Sequence, residues 1–330
     1  MIVTSIQRAA FILFACVATS VYAQQKPVQL PAGYPNKPLR MVVGIPPGGG
    51  ADIVSRVVAQ KLAERWGQPV IVDNRTGAGG GLAMGIVAQS AADGYTFLVG
   101  SVVTIASATP LGKVTFDTQN VFSPVIKMNS QPYVLAIAPS LPVNSVKELI
   151  TYARRMPGKL NYASTGVGST SQLGMELFKS MAGVDIVHVP YRGLSLAMVD
   201  LMGGQIQLML GAAIIITPNV RTGKLKALAV SSDKRARVLP NLPTISESGL
   251  AGFEWSNSYA LFAPAGTPPV IVLALNREVG EIVRLASVQS KLAADGVDVV
   301  AANSPKEFKE IFESEVDKIK KLLEKSGIRL

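Results

Sequence analysis

The chain has little of what most enzymes and metal proteins need. Its 330 residues contain one cysteine, Cys16, and one histidine, His188. Cys16 falls in a segment read below as removable, so the remaining chain has no thiol for a disulfide or a nucleophile. With one histidine, a site built from His and Cys ligands is not available. Asp and Glu are scattered without the spacing of a calcium loop. A serine hydrolase needs a base beside its nucleophile, and no G-x-S-x-G occurs. Gly193-Leu194-Ser195-Leu196-Ala197 matches it only in part, and Ser231-Ser232-Asp233-Lys234 fits S-x-x-K by letter alone in a charged loop. His188 ends an apolar strand, the place of a structural or cleft-lining residue. Long apolar runs are also missing: none reaches the ~20 residues of a membrane span. Charged residues are sparse at 16%, against 48% hydrophobic, which excludes a disordered chain and supports sizeable cores.

Residues 1–23 read as a secretory signal, with Arg8 as the positive region, an apolar run from Ala9 to Ala18 and a small-x-small site at Val21-Tyr22-Ala23. Leu13-Phe14-Ala15-Cys16 offers an alternative, a lipoprotein site. Loss of Arg8 takes the net charge from +10 to +9. The basic residues form only small clusters, at Arg154-Arg155 and Lys234-Arg235-Arg237, with no aromatics interleaved, so nucleic acid is not the expected partner. A positive field that draws in small anions is the simpler use of this charge.

What is present is glycine in particular places. Pro46-Pro47-Gly48-Gly49-Gly50-Ala51-Asp52 follows the strand-like run Leu39–Ile45 and opens a helix to Trp66. Asn74-Arg75-Thr76-Gly77-Ala78-Gly79-Gly80-Gly81 follows Val70–Val72 and opens a second helix. Two helix N-termini beyond neighbouring strands aim bare N–H groups at one point, which favours an anion. Glycine lets the backbone approach closely. Gly44 to Gly49 has P-loop spacing but lacks the lysine, with Gly50-Ala51 in its place, and the third glycine of a dinucleotide fingerprint is replaced by Ser171 in one loop and Leu82 in the other. The pattern therefore predicts capture of a small carboxylate on main-chain donors, through ordered water in part. Ser101, Ser164, Ser169 and Thr170 add hydroxyls. No resident cofactor is implied. A secreted hydrolase and a phosphate binder are the competing readings.

Strand and helix patterns alternate from Leu39, the grammar of an α/β fold with parallel sheets. After a leader at 24–37, they divide into a first lobe at 38–131 plus 256–330 and a second lobe at 132–255. Asn129-Ser130-Gln131-Pro132 is the first crossing. In the second lobe Ser145 and Glu148 form a capping box, and Ser164-Thr165-Gly166-Val167-Gly168-Ser169-Thr170 is a third small-residue loop. Ligands in such sheets sit beyond the strand carboxyl ends, here between the lobes.

In this order and spacing the segments resemble the Bug-type solute-binding receptors of tripartite tricarboxylate transporters. The matching segments begin with Arg40–Val43 through Pro47–Asp52, Asn74–Gly80 and Asp93-Gly94-Tyr95-Thr96. They continue with Tyr162-Ala163-Ser164 and Gly166–Ser169, His188–Gly193, Leu239–Thr244, Gly249-Leu250, Gly252-Phe253-Glu254 and Ala263–Pro268. The resemblance implies a periplasmic, two-lobed binding protein of type II-like architecture, working as a monomer with membrane permease subunits or in sensing. It implies a carboxylate on Pro47, Gly48, Gly49, Gly50, Ala51 and Asp52, and on Thr76, Gly77, Ala78, Gly79 and Gly80. Ser101, Ser164, Thr165, Gly168, Ser169, Thr170, Gln172, Tyr191, Arg192, Gly193 and Gly211 would meet the rest of the ligand. The family often carries proline at Thr76, an asparagine or hydroxyl residue at Gly81, an aromatic at Ile45, histidine at Gln172 and aspartate at Gln207. These departures leave the anchor intact and alter the distal end. With the apolar run Gly211–Ile216, they suggest a mono- or dicarboxylate with an aliphatic or aromatic body, and Arg192 is placed to meet a second acid group.

Overall fold

The computed structural model describes residues 30–191, 194–237, 239–294, 298–299 and 303–326. The expected signal segment, with Arg8 and Cys16, the first part of the leader (24–29), and Arg192 and Gly193 lie outside the described residues.

Strand and helix alternate as the pattern predicts. The chain begins β1 (Leu39–Val43), α1 (Gly50–Trp66), β2 (Val70–Asn74), α2 (Gly81–Ala88), β3 (Thr96–Ser101), α3 (Val102–Ala108), α4 (Thr118–Val121) and β4 (Phe122–Lys127). It then runs through β5 (Asn129–Ile137), α5 (Val146–Arg155), β6 (Asn161–Ser164), α6 (Thr170–Ala182), β7 (Val187–Pro190), α7 (Leu194–Met202), β8 (Leu208–Ala212), α8 (Ala213–Arg221) and β9 (Lys226–Val230). It returns through β10 (Ser256–Asn257) and β11 (Tyr259–Pro264), and closes with α9 (Pro269–Arg284), α10 (Ala286–Ala294), β12 (Asp298–Val299) and α11 (Pro305–Ser326).

The first sheet has the order β2-β1-β3-β11-β4, and the second has β5-β8-β6-β7 with β9 also on β5. Each is mostly parallel. The reversed strand of each, β11 in one and β5 in the other, follows directly on a passage between the sheets. The capping box forms: Ser145 Oγ accepts from Glu148 N–H at 3.1 Å while Glu148 Oε2 accepts from Asn144 N–H at 2.8 Å, which starts α5.

Alternation along the strands sorts the cores. Leu39, Met41 and Val43 of β1 face one cluster with α1 and α9, whereas Val42 faces the other side of the sheet. In β5 and just past its end, Val134, Ala136 and Ala138 pack toward α7 and α8, while Tyr133, Leu135 and Ile137 join Val42 in a cluster that runs through both lobes. Helix α11 completes that shared cluster with Phe308, Phe312, Val316, Ile319, Leu322 and Leu323. It packs on α3 and β4 of the first lobe and on α6 of the second.

Residues 129–132 are strand rather than loop. Gln131 and Pro132 pair with Asn257 and Ser256, Met128 N–H donates to Tyr259 O, and Asn129 Oδ1 accepts from Tyr259 N–H at 2.7 Å. The two passages between the lobes thus satisfy each other's backbone groups. Four helices escape the sequence pattern, among them the short α4 and α10. Helix α3 follows β3 without a break, and α8 begins inside the apolar run Gly211–Ile216 and carries Pro218 in its interior. Ala213 and Ile216 are fully buried in the α7–α8 cluster, so packing accounts for the apolar character of that run.

Candidate functional site

Both glycine turns stand where β1 and β2 end and α1 and α2 begin. Neither helix has a side-chain cap. In the first turn Gly48 takes φ +82°, and its N–H donates to Asp52 Oδ2 at 2.9 Å. Gly49 N–H closes on Pro46 O at 3.3 Å. The N–H groups of Gly50, Ala51 and Asp52 have no acceptor among the described residues, as at any uncapped helix start. In the second turn Gly77, Ala78, Gly79 and Gly80 all have positive φ, a run that only a glycine-rich segment adopts without heavy strain. Gly80 N–H closes on Gly77 O, leaving Ala78 and Gly79 N–H without an acceptor among the described residues.

The two turns are locked together by side chains behind them. Asp52 is buried, and its carboxylate accepts from Gly48 N–H, Arg56 Nε and Asn74 Nδ2. Asn74, at the end of β2, also donates to Ile45 O at 3.0 Å. Burial alone would raise the Asp52 pKa, but the bonds from Arg56, Gly48 and Asn74 outweigh it and hold the carboxyl below its usual range. Asp52 is therefore a positioning residue through its side chain, and only its N–H is open to a ligand. Asp73, one residue before Asn74, is held by Arg40 and Arg75. Close packing demands the glycines: a Cβ on Gly44 would stand 3.0 Å from Gly80 Cα, and one on Gly50 would stand 2.9 Å from Tyr259 Cε2.

The opposite wall is the 164–170 loop, where side chains take several of the backbone N–H groups. Ser169 caps α6, accepting from Gln172 N–H. Gly168 N–H donates to Gln172 Oε1 at 2.6 Å, which fixes the amide so that Gln172 Nε2 meets His188 Nδ1 at 3.2 Å. The ring then carries its proton on Nε2, 2.6 Å from Ser164 Oγ. Burial lowers the His188 pKa, so the ring is neutral. It stacks on Tyr162, with centroids 5.0 Å apart. Ser164 is fully buried, and its Oγ exchanges hydrogen bonds with Gly166. This Ser–His contact is thus the wrong tautomer for a general base, because His188 donates where it would need to accept.

Ser101 and Ser107 reach across between the walls. Ser101 caps α3, donates to Asn257 Oδ1 at 2.6 Å and lies 3.3 Å from Thr170 Oγ1. Ser107 Oγ reaches Gly168 O at 3.4 Å. The expected residues thus divide by position. Ser101, Thr170, Gly168 and Gln172 sit between the lobes, and Ser164 lies behind them. Pro47, Thr76 and Thr165 are exposed on the rims. Tyr191 gives its hydroxyl to Asp200 at 2.6 Å, and Gly211 is buried against Ile216. Gln207, where the family often has aspartate, holds Asn161 N–H and Gly204 O. Asn257, Tyr259 and Lys113 were not singled out in the sequence. For Lys113 a signal existed: a lone lysine in a small, apolar stretch with no acidic residue within three positions. Two surface hollows lie apart from these turns, one against α5 and one of about 740 Å³ between α11 and the crossing segments. Among the described residues no group of acidic, His or Cys side chains could hold a metal, and no helix is long and apolar enough to cross a membrane.

The model for the "Tripartite tricarboxylate transporter family receptor" matches residues 54–328. Protein BugT of Bordetella pertussis is 34% identical over 304 residues, 90% of this chain and 91% of its own. An R. palustris protein solved with adipate superposes with a TM-score of 0.81 at 36% identity, covering 90% of this chain and 99% of its own. The malate-bound MatC of Rhodopseudomonas palustris gives 0.79 at 31% identity, covering 88% of this chain and all (100%) of its own.

Proposed function

This chain belongs to the family of tripartite tricarboxylate transporter receptors, and from that premise we propose that it captures a small organic carboxylate between its lobes in the periplasm and delivers it to membrane permease subunits. The family and its solved relatives are solute-binding receptors, periplasmic where their names say so, and two of those relatives were solved with the dicarboxylates adipate and malate. The observation that carries the reading is the pair of turns on adjoining strands, one with Gly50, Ala51 and Asp52 N–H open and the other with Ala78 and Gly79 N–H open. Their open N–H groups offer a carboxylate several charge-assisted bonds at once, without a competing side-chain anion.

In this reading the first-lobe turns, Pro47 to Asp52 and Thr76 to Gly80, hold the carboxylate, and Ser101 and the 164–170 loop meet the rest of the molecule. Binding energy draws the lobes together, and the closed form is what the permease receives. The chain catalyses nothing and acts as a monomer. The test is a thermal-shift screen of the folded protein over adipate, malate, other aliphatic acids and benzoate-type acids, with phosphates as the control. An acid at about 100 times its dissociation constant adds about 2.7 kcal/mol of stability. Stabilisation by phosphates but not by acids would overturn the assignment.

A further inference from the structure

Lys113 lies in the loop between α3 and α4, with its N–H bonded to Ala108 O. Its side chain turns back into the gap between the two walls. A Cβ built on Gly79 would stand 3.2 Å from Lys113 Nζ, and one built on Gly168 would stand 2.6 Å from it. The ammonium therefore touches the second anchor turn and the second-lobe loop together. Glycine is required at both contacts twice over, since each also has positive φ, +60° at Gly79 and +66° at Gly168.

Among the described residues the amine has no counter-charge. Among the described residues no carboxylate lies within ion-pair distance of Nζ, and no acceptor takes a hydrogen bond from it. The elements packed around it carry none: Gly79 and Gly81 on the turn, Leu111 on its own loop, and Gly168 opposite. The titratable groups on the elements that carry these walls are occupied elsewhere, and Asp117, further along the loop of Lys113, caps α4 by accepting from Gln119 N–H. Glu176 is held by Tyr162 and Lys179, His188 by Ser164 and Gln172, and Asp52 by Arg56 and Asn74. Burial without a partner pushes the Lys113 amine down to about 8. A desolvated cation is costly for the free protein and is relieved by an anion placed beside it.

We propose that Lys113 is a ligand-binding residue whose ammonium pairs with a carboxylate held between the Gly79 turn and the Gly168 loop. The inference deepens the carboxylate-receptor reading and rests on it. The main-chain donors orient the acid, and Lys113 supplies the full positive charge that the glycine turns lack. Because the same Nζ touches both walls, neutralising it favours the arrangement in which the walls are together.

The test is calorimetric titration of the folded protein with adipate and with malate between about pH 7 and about pH 9.5, on the parent, Lys113→Met and Lys113→Arg. In the parent, affinity holds up to about pH 8 and then falls about tenfold per unit as the free ammonium is lost. Lys113→Met binds at least about tenfold more weakly at pH 7, with a flat profile. Lys113→Arg keeps its charge throughout, so its affinity stays level across the range. Affinity of Lys113→Met within about twofold of the parent, with the parent's pH profile, overturns the assignment. If Lys113→Met does not fold, an arginine variant that loses affinity above pH 8 as the parent does overturns it equally. Should the parent bind neither these acids nor any in the wider screen, the carboxylate reading falls and takes Lys113 with it. A parent that binds beside an indifferent Lys113→Met sinks Lys113 alone.

Discussion

The first-lobe turns and the second-lobe loop both open helices at strand ends, yet they treat their N–H groups in opposite ways. In the 164–170 loop the donors are used internally: Thr165 N–H by Ser171, Gly166 N–H by Ser164, Gly168 N–H by Gln172, and the start of α6 by Ser169. In the first-lobe turns the side chains stand behind the backbone, and the helix starts are left uncapped. One wall ties several of its loop N–H groups to its own side chains, and the other leaves Gly50, Ala51, Asp52, Ala78 and Gly79 N–H open with no side-chain cap. On the proposed reading, the wall with open N–H groups grips the anion and the other gives the gripped molecule a surface to lie against.

The sharpest way to break this contrast is to fill the open wall. Gly79→Asp puts a carboxylate and a Cβ at a φ of +60°, beside Lys113 Nζ. We expect acid binding to fall by about a hundredfold or more, read by calorimetry. Unchanged affinity would remove that turn from the anchor. Asp52→Ala attacks the same wall from behind. It strands Gly48 N–H, Arg56 and Asn74 and costs about 2–3 kcal/mol of stability by denaturant melts, with weaker binding as the two turns lose their tie. The contribution of Asp52 also has a pH sign. Its carboxyl is held below the unfolded value, so its stabilisation is complete above about pH 4 and is lost as pH falls through the lower folded value. Asp52→Asn should flatten that acid limb. Ser169→Ala removes a cap from the second-lobe wall and should cost about 1 kcal/mol in melting, with a smaller loss of affinity than Gly79→Asp. The smallest expected effect is His188→Gln. The wild-type ring is held neutral, so its stabilisation is full above about pH 6.5 and declines as pH falls through the lower folded value. The variant should lose that slope in melts between about pH 7 and about pH 5.

Much of this was legible in advance, and the parts that were not share a cause. Glycine clusters after apolar runs mark turns that open helices, because glycine's freedom and helix starts are local facts. Ser145 with Glu148 is likewise local. What depends on distant partners left no mark. Residues 129–132 look like a loop until their pairing with 256–257 is known. Gly211–Ile216 reads as a lining for a ligand, because an apolar run has the same letters whether it faces a cleft or a core. The reach of Lys113 to Gly79 and Gly168 joins segments far apart in the chain, and only the folded backbone brings them together. The role of Asp52 is of the same kind: its place in the first turn of α1 is visible, but its bond to Asn74 is not.

Helix α11 has a consequence for how the molecule tolerates truncation. It seals apolar side chains of both lobes at once and is tied to the passage between them by Lys318, whose Nζ lies 5.1 Å above the Trp255 ring. A polypeptide stopping short of Pro305 therefore bares greasy faces on both halves rather than on one. Neither half is watertight until the last long helix has docked, so loss of that tail disables the distant half as surely as the near one.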